Sequence, residues 1–348
     1  MDLKGKRALI LTSESEYAVG LLFQKALKAE GFDTQIFDLF THIAKYTLGG
    51  KIGSKVNAFW PVDAWRKKAN RDLSIRIREL QPDLIFISGD NPVNIGTLAF
   101  ARSILPNLKV VLFWPDTLVN LSTALISLSP MIDVLASYSS SAFDQFKALG
   151  FREVIWTPFA GDLEFLNGEL SDPVPNTFKY DCTFIGGWRP ERERAVQHIV
   201  SKLPGIHIKV VGPYWHRSVE NRKLLPLISN TAMYGKAYGD FLRSSRINLN
   251  IIDDTNYPAA NMRFFEIPAA GALQVSSACP EQEEILIDGK HLYYYKSLEE
   301  LSNKIHHILN HPEEADTIRR AGYNLVSSKH TYEDRIRQIV SSLNISTT

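Results

Sequence analysis

Short segments that are apolar at nearly every position alternate along this chain with longer segments whose apolar residues recur at helical spacing. Residues 17–31 are of the second kind and end in Gly31, a residue that commonly stops a helix. Continuously apolar strands are typical of a parallel sheet, because such strands are buried on both faces. The alternation therefore predicts right-handed βαβ crossovers and an α/β fold with doubly wound sheets.

The alternation is interrupted once, between about residues 160 and 178. This segment is polar, contains two prolines and lacks periodicity, as a linker does. We predict a Rossmann-like N-terminal domain over 1–160, a linker over 161–178, a second Rossmann-like domain over 179–330 and a C-terminal helix over 331–348. The predicted strands are KRALILT, FDTQIFDL, PDLIFISG, LKVVLFW, DVLASYS and EVIWTPF in the first half, and YDCTFIGG, IHIKVVG, MYGKAYG, RINLNII, ALQVSS and HLYYYKS in the second.

Composition excludes several classes of protein. The chain has 348 residues and a net charge of +1, which argues against a nucleic acid or an acidic membrane as the main partner, although a local basic patch is not excluded. The only cysteines, Cys182 and Cys279, are too far apart in sequence to suggest a disulfide framework or a zinc cluster. With no signal peptide and no long apolar stretch, we expect a cytoplasmic protein without an integral membrane segment.

The segment FIGGWRPERERAV, which starts at Phe184, is the first candidate for a binding site. A predicted buried strand ends at Gly186 and Gly187, and a helix then begins near Pro190. A helix N-terminus presents unpaired N–H groups, and Arg189 and Arg192 would add positive charge for a diphosphate. The alternative interpretation is an ordinary strand-to-helix turn with a solvated Glu/Arg helix face.

The segment NYPAANMRFFEIPAAGALQVSS, which starts at Asn256, is the second candidate. Asn261 is placed to cap a helix that carries Arg263 and Glu266. One interpretation is that Arg263 and Glu266 form an i,i+3 ion pair contributing about 0.2–0.5 kcal/mol. The other is that Glu266 accepts hydrogen bonds from sugar hydroxyls, since a carboxylate accepts two O–H donors.

Several motifs in this order resemble the CgeB-type spore-maturation glycosyltransferases, which are relatives of the group 1 GT-B glycosyltransferases. The resemblance rests on N-x-R-x-F-E-I-P-A-A-G-A from Asn261 and the later Y-x-S-L-E-E-L. Further support comes from DCTFIGGWRPERER, SSRINLNI and HTYEDR, and from FWPDTLVN in the N-terminal half. Apart from FWPDTLVN, the matching region covers about residues 155–340.

The resemblance implies a GT-B-like fold with two facing Rossmann-like domains and a C-terminal helix that crosses back to the N-terminal domain. It also implies a transferase that moves a sugar from a nucleoside diphosphate to an unknown acceptor, and the family analogy favours retention of configuration over inversion. No metal or other cofactor is expected, because enzymes of this fold generally hold the diphosphate without one. The alternatives are a nucleotide-sugar epimerase and a non-catalytic nucleotide-sugar-binding module.

By the same resemblance, Glu266 would bind the donor ribose, and Arg189, Arg192 and Arg263 would hold the diphosphate. The residues expected near the donor are Gly186, Gly187, Arg189, Arg192, Tyr234, Gly235, Lys236, Asn261, Arg263 and Glu266, with Tyr234, Gly235 and Lys236 near the base. Relatives with a two-glutamate motif carry a second glutamate where this chain has Pro258. The donor-sugar contact must then come from elsewhere, such as Asn261 or the backbone near Ala259 and Ala260.

Asp116 and the adjacent pair Asp253 and Asp254 are the remaining acidic candidates. Asp116 directly follows a predicted strand in FWPDTLVN, so it is either a base or acceptor ligand, or an aspartate that only shapes the turn. Asp253 and Asp254 resemble a metal-binding pair, but a solvated loop is the preferred interpretation. We therefore predict catalytic roles for Asp116 and Arg263 and no metal site.

Overall fold

The computed structural model describes residues 3–47, 62–170 and 177–343, and these fall into two compact units. The first unit runs up to Pro158 and also includes the chain from Tyr332 onward, and the second unit is Phe159–Thr331. Each unit contains one sheet of six parallel strands. The predicted α/β class with two doubly wound sheets is confirmed.

The first sheet has the strand order β2-β1-β3-β4-β5-β6. Its strands are β1 (Arg7–Leu11), β2 (Asp33–Phe37), β3 (Leu84–Ser88), β4 (Lys109–Trp114), β5 (Val134–Ser137) and β6 (Val154–Trp156). Its helices are α1 (Val19–Ala29), α2 (Leu39–Tyr46), α3 (Asp63–Leu80), α4 (Ile95–Ile104), α5 (Thr123–Ile126) and α6 (Phe143–Ala148). Strand β3 is buried from Leu84 to Ile87, as its continuous apolar sequence predicts.

The second sheet has the order β12-β11-β10-β7-β8-β9, so the strand order reverses between β7 and β10. Its strands are β7 (Tyr180–Ile185), β8 (Ile208–Val211), β9 (Ile228–Ser229), β10 (Ser245–Asn250), β11 (Gln274–Ser277) and β12 (Tyr293–Tyr295). Its helices are α7 (Leu163–Leu166), α8 (Pro190–Lys202), α9 (Trp215–Ser218), α10 (Gly235–Arg243), α11 (Met262–Ala269), α12 (Pro280–Glu283), α13 (Leu298–Asn310) and α14 (Pro312–Lys329).

The structure differs from the sequence prediction at MYGKAYG, which forms the start of helix α10 rather than a strand. The reason is a helical pattern that two glycines obscure: Tyr238 and Leu242, four residues apart, are both buried. Gly239 allows α10 to approach helix α7 closely, because any side chain at 239 would overlap the Leu166 carbonyl. Packing between helices therefore fixes a helix where the local sequence was interpreted as a strand.

The predicted linker also differs from what the structure shows. Within 161–170, Asp162 caps the short helix α7 by accepting a hydrogen bond from the Phe165 N–H at 2.9 Å. Helix α7 contacts both α10 and α11, so this part of the segment packs within the second unit. Residues 171–176 of the predicted linker lie outside the described residues.

The last helix, α15 (Tyr332–Ser342), belongs to the first unit and packs against α1. The Tyr332 ring meets the Phe23 ring edge-on at 5.1 Å between centroids. The buried Arg335 donates from Nε to the Pro158 carbonyl at 2.9 Å. No helix in the described parts of the chain is long and apolar enough to cross a membrane.

Candidate functional site

The candidate site lies where the strand order of the second sheet reverses, at the carboxyl ends of β7 and β10. Ligands of doubly wound folds bind at such a switch point. Gly186 follows β7 there, and its carbonyl accepts a hydrogen bond from Trp215 Nε1 at 2.8 Å. A Cβ at 186 would lie 2.8 Å from the Phe184 ring and 3.0 Å from Arg263 Nη2. Glycine at 186 thus allows Arg263 to lie against the end of β7.

Arg192 holds the two strand ends together from helix α8. Its buried guanidinium donates to the Gly187 carbonyl at 2.9 Å and to Asp253 Oδ2 at 2.7 Å. A longer bond of 3.4 Å joins Nε to the Ile251 carbonyl. Arg192 was predicted to hold the diphosphate, but the structure places its donors in these internal bonds. Its contribution is therefore to position the Gly187 turn beside the end of β10.

Asp253 is buried, and this corrects the interpretation of Asp253 and Asp254 as a solvated loop. Besides the Arg192 pair, Asp253 Oδ1 accepts from Thr255 Oγ1 at 2.6 Å and from Asn256 Nδ2 at 2.8 Å. Burial alone would raise the pKa of Asp253, but the Thr255 bond, the Arg192 charge and the Asn256 bond together lower it. Of the two aspartates, Asp254 is the exposed one. In the described residues no three His, Cys, Asp or Glu side chains are grouped to hold a metal ion.

Helix α8 begins beside this turn, and no side chain in the described part of the protein caps its N-terminus. Pro190 occupies the first turn, as predicted, and the N-cap residue Arg189 is exposed. Among the residues that the structure describes, the Arg189 guanidinium makes one hydrogen bond, of 3.4 Å, to the Trp188 carbonyl. An uncapped helix N-terminus attracts anions through its backbone N–H groups and its partial positive charge.

Helix α11 begins at a cap that agrees with the sequence prediction. Asn261 Oδ1 accepts from the Phe264 N–H at 3.0 Å. Its Nδ2 donates to Asn250 Oδ1 at 2.8 Å, which ties the helix start to the end of β10. The amide oxygen and the amide nitrogen of Asn261 both make hydrogen bonds within the protein, and the residue is buried. The structure therefore does not present this side chain to a donor sugar. Ala259 and Ala260 are also buried.

Arg263 differs from Arg192 in having no hydrogen-bond or salt-bridge partner in the described ranges of the chain. Its half-buried guanidinium makes no hydrogen bond or salt bridge within the part of the chain that the structure describes. Burial lowers the pKa of Arg192 to about 10, and the nearby charges of Arg263 and Arg189 act in the same direction. Three guanidinium groups therefore share this site, and among the described residues only Arg192 of the three forms a salt bridge, with Asp253. Glu191 acts on Arg192 electrostatically, and Glu266 acts on Arg263 in the same way. Arg189 and Arg263 make no such salt bridge in the described structure, so both remain available to an anion.

Glu266 lies one turn further along α11 and accepts a hydrogen bond from the buried Tyr238 hydroxyl at 3.2 Å. It forms no ion pair with Arg263 within 4.0 Å among the described residues, so the i,i+3 pair is not made. Burial raises the pKa of Glu266, and the Arg263 charge and the Tyr238 bond offset only part of this effect. The carboxylate is thus partly desolvated, with one oxygen still lacking a protein donor in the described structure.

The raised pKa predicts a measurable effect of Glu266→Gln on stability. A folded-state pKa above the ordinary value of 4.5 means that ionisation of Glu266 opposes folding, so stability falls as the pH rises through and above that value. Glutamine can accept the Tyr238 bond without ionising. We expect the variant to melt at a higher temperature than the wild type at neutral pH, and the difference to vanish near pH 4. Glu284→Gln, at an exposed glutamate, is the matched control; a Glu266→Gln variant that is less stable at neutral pH would contradict this account.

The residues predicted to lie near the base stand at the N-terminus of α10. Tyr234 is the N-cap residue and is 45% exposed, and its own side chain makes no capping hydrogen bond within the described residues. Gly235 has a φ of +55°, a conformation that favours glycine, and Lys236 is exposed. Their helix also carries Tyr238, so the structure links this predicted segment to Glu266. Tyr238 was missed as a site residue because MYGKAYG was interpreted as a strand.

Asp116 lies in the first unit, after β4. Its Oδ1 accepts from the Thr117 N–H at 2.7 Å and its Oδ2 accepts from Asn120 Nδ2 at 2.8 Å. These bonds match the turn-shaping interpretation. A carboxylate has about four acceptor positions, so two remain for another donor.

Comparison with known proteins gives the fold and a family match for part of the chain. Residues 189–341 match the sequence model of the "Glycosyl transferase-like" family. A glycosyltransferase from Rickettsia africae has 12% sequence identity and a TM-score of 0.68, covering 98% of this chain and 99% of that one. No relative was detected among curated protein sequences.

Two other solved structures have the same fold. Anabaena HepE, in complex with UDP and glucose, has 12% identity and a TM-score of 0.64, with coverage of 98% of this chain and 100% of HepE. A putative UDP-N-acetylglucosamine 2-epimerase from Listeria monocytogenes has 13% identity and a TM-score of 0.58, with coverage of 99% and 98%. The chain therefore has the GT-B glycosyltransferase fold, and its residues 189–341 match the Glycosyl transferase-like family.

Proposed function

We propose that this protein is a glycosyltransferase that moves a sugar from a nucleoside-diphosphate sugar to an acceptor hydroxyl without a metal ion. The observation that carries the proposal is the half-buried Arg263 guanidinium, which has no internal hydrogen-bond partner among the described residues and lies against Gly186. A partly desolvated charge without a partner costs free energy unless a bound ligand supplies the opposite charge. A diphosphate supplies the opposite charge and several acceptor oxygens.

The diphosphate would contact Arg263, Arg189 and the N-terminus of α8, which all lie at the switch point. Positive groups fixed there would stabilise the leaving diphosphate as its charge develops. This field can act where a divalent cation acts in other transferases, which is why we propose metal independence. Arg192 would take part indirectly, by fixing the Gly187 turn and the end of β10.

The ribose would be recognised by Glu266, whose second oxygen is available to hydroxyl donors. Tyr238 would orient the carboxylate, and the segment from Tyr234 to Lys236 would lie near the base. Asp116 is proposed for the acceptor side, as a base or an acceptor ligand. The CgeB-type subgroup and retention of configuration are proposed on motif resemblance, and the anomeric form of the product would test the latter.

A thermal-shift screen of UDP, GDP, ADP, CDP and TDP tests the proposal. A ligand that binds only the folded protein adds about 2.7 kcal/mol at a hundredfold excess over its dissociation constant, which corresponds to a shift of a few degrees. We expect one diphosphate to raise the melting temperature equally with a chelator and with magnesium. A shift, or sugar transfer, that appears only with magnesium would overturn the metal-independent model.

Arg263→Ala should separate phosphate binding from nucleoside binding. Because the lost contact is charge-assisted, we expect affinity for the matching nucleoside diphosphate to fall roughly ten- to a hundredfold, with little change for the nucleoside. The folded protein should keep its melting temperature, since Arg263 makes no internal hydrogen bond in the described structure. Arg246→Ala, which removes an arginine from the start of β10 at the opposite edge of the sheet, is the matched control. Equal losses for both ligands would remove Arg263 from the phosphate site.

A nucleotide-sugar epimerase is the second candidate, favoured by the shared fold of the Listeria protein. The products of labelled nucleotide sugars distinguish the candidates. A transferase releases the diphosphate and attaches the sugar to an acceptor or to water, whereas an epimerase returns an altered nucleotide sugar. A binding module that lacks activity returns the donor unchanged.

A further inference from the structure

Helix α3 presents a cationic face to solvent. It packs on the sheet through Ala69, Leu73, Ile77 and Leu80, all buried. The opposite side carries four exposed cations, which are Lys67, Lys68, Arg71 and Arg78. None of the four forms a salt bridge or side-chain hydrogen bond within the described ranges, and Lys68 lies over the Tyr46 ring at 5.5 Å. Two of the three acidic residues of α3 have partners other than these four cations: Asp72 accepts a hydrogen bond from the Tyr46 hydroxyl and lies 2.9 Å from His42 Nδ1, and Glu79 pairs with Arg76. The third, Asp63, is exposed and lines a cleft together with Lys67.

Helix α4 presents an apolar face instead. Its one charged residue, Arg102, donates to Asp133 at 2.8 Å and to the Met131 carbonyl at 3.1 Å. The exposed positions of α4 carry no charge: they are Ile95, Gly96, Ala99, Phe100, Ser103 and Ile104. Ile95, Phe100 and Ile104 are each between 37% and 40% exposed. Large apolar side chains exposed to solvent on one element are a feature of interaction surfaces.

The two faces are continuous. Helices α3 and α4 contact one another, and Asn70 of α3 fixes their alignment. Its Oδ1 accepts from the Asn94 N–H at 2.8 Å and from Thr97 Oγ1 at 3.0 Å. Lys67 and Ile95 line the same cleft, of about 310 Å³. The α3–α4 surface, defined as the four cations and Ile75 of α3 with the exposed residues of α4, is thus one preformed platform.

We propose that the α3–α4 surface binds an anionic lipid bilayer from its aqueous side. Lys and Arg side chains that have no salt-bridge partner among the described residues suit lipid phosphates, and the exposed Ile75, Ile95, Phe100 and Ile104 suit the boundary between headgroups and acyl chains. A nucleic-acid backbone would contact the cations but leave the exposed apolar side chains of this surface in water. With a net charge of only +1 for the whole chain, the attraction is local to this surface. The proposal does not depend on the proposed transferase activity.

Co-sedimentation of the full chain with vesicles tests this proposal. We expect binding to vesicles of phosphatidylcholine and phosphatidylglycerol in equal parts, and little binding to pure phosphatidylcholine. Replacing Lys67, Arg71 and Arg78 together by glutamine should weaken binding roughly a hundredfold, given the energy contributed by each basic residue near an anionic surface. Replacing Ile95 and Phe100 by serine should also weaken binding, while the remaining binding stays sensitive to salt.

A matched control variant removes the same number of positive charges from the second unit. Lys223→Gln, Lys290→Gln and Lys329→Gln together remove three exposed cations of the second unit and should leave vesicle binding unchanged. Nucleoside diphosphate binding, or melting temperature, checks that each variant is folded. Equal loss in both triple variants would overturn the proposal, as would absence of binding to the anionic vesicles. Self-association that is lost in the Ile95/Phe100 variant, without any vesicle binding, would assign the surface to a second copy of the chain and also overturn it.

Discussion

A chain that ends at His330 should lose the independent stability of its first unit. The deletion removes α15 and Leu343, which follows it, and the side chains of Ile336, Ile339, Val340 and Leu343 are each at most 3% exposed. Each such side chain contributes about 1.5–3 kcal/mol on burial, an upper estimate because the unfolded chain already covers part of this area. The expected loss of at least about 5 kcal/mol is comparable to the whole stability of many domains.

Polar contacts and a ring contact are lost with the apolar ones. The deletion leaves the Pro158 carbonyl without its Arg335 donor and the Trp156 carbonyl without its Gln338 donor. It also uncovers Phe23 on α1, which packs against the Tyr332 ring. We therefore expect the first unit to bind a hydrophobic dye and to lose its cooperative thermal transition, with lower solubility of the chain.

Point variants separate the loss of packing from the shortening of the chain. Ile339→Ala should lower the free energy of unfolding by about 2–5 kcal/mol at full length. Arg337→Ala, on the exposed side of the same helix, should change it by less than about 1 kcal/mol despite its ion pairs with Glu30 and Asp334. Unaltered melting of the truncated chain would show that α15 does not stabilise the first unit.

Arg192→Met should be the most destabilising single substitution at the candidate site. It leaves Asp253 buried without its guanidinium partner, and breaking a buried ion pair by removing one partner costs about 3–5 kcal/mol. The Gly187 carbonyl loses its donor in the same change. We expect denaturant unfolding to show this loss, and nucleotide binding to weaken because the turn that carries Gly187 is no longer fixed.

A double-mutant cycle tests whether the charge pair is the cause. Adding Asp253→Asn removes the uncompensated charge while keeping an acceptor for Thr255, so the double variant should be more stable than Arg192→Met alone. Arg246→Met is the control, because Arg246 is more exposed and lies 3.9 Å from Asp181, and it should cost less than about 1 kcal/mol. Additive losses from Arg192→Met and Asp253→Asn would mean that the pair is not coupled.

Much of the architecture follows from local sequence patterns. Continuously apolar segments such as LIFIS and KVVLFW identify central strands, because only a parallel sheet covered on both faces buries every position. Pro190 and Asn261 mark helix starts through effects that act within one turn, namely a fixed φ and a side-chain cap. These signals are short in range, so they can be recognised without knowledge of the fold.

Contacts between distant segments account for the features that were predicted incorrectly. Helix α10 is stabilised by burial of Tyr238 and Leu242 and by the close approach of Gly239 to α7, about 70 residues earlier in the chain. Likewise, the sequence around Asp253 favours a solvated loop. The assembled sheet places Asp253 beside Arg192, which is 61 residues away in sequence. Local propensity carries no information about such partners.

The candidate site shows the same division between local and distant effects. Arg189, Arg192 and Arg263 have the same chemistry, and the motifs around them were sufficient to predict an anion site. The strand order decides which arginine forms internal hydrogen bonds and which remains available to a ligand. Because β7 and β10 are adjacent, Arg192 reaches a buried carboxylate and two backbone carbonyls. Arg263 receives no such partner in the described structure because it lies across Gly186, where no side chain can occupy the space beside it. Charge can be counted from residue types, whereas its neutralisation depends on distances that are set when the sheet assembles.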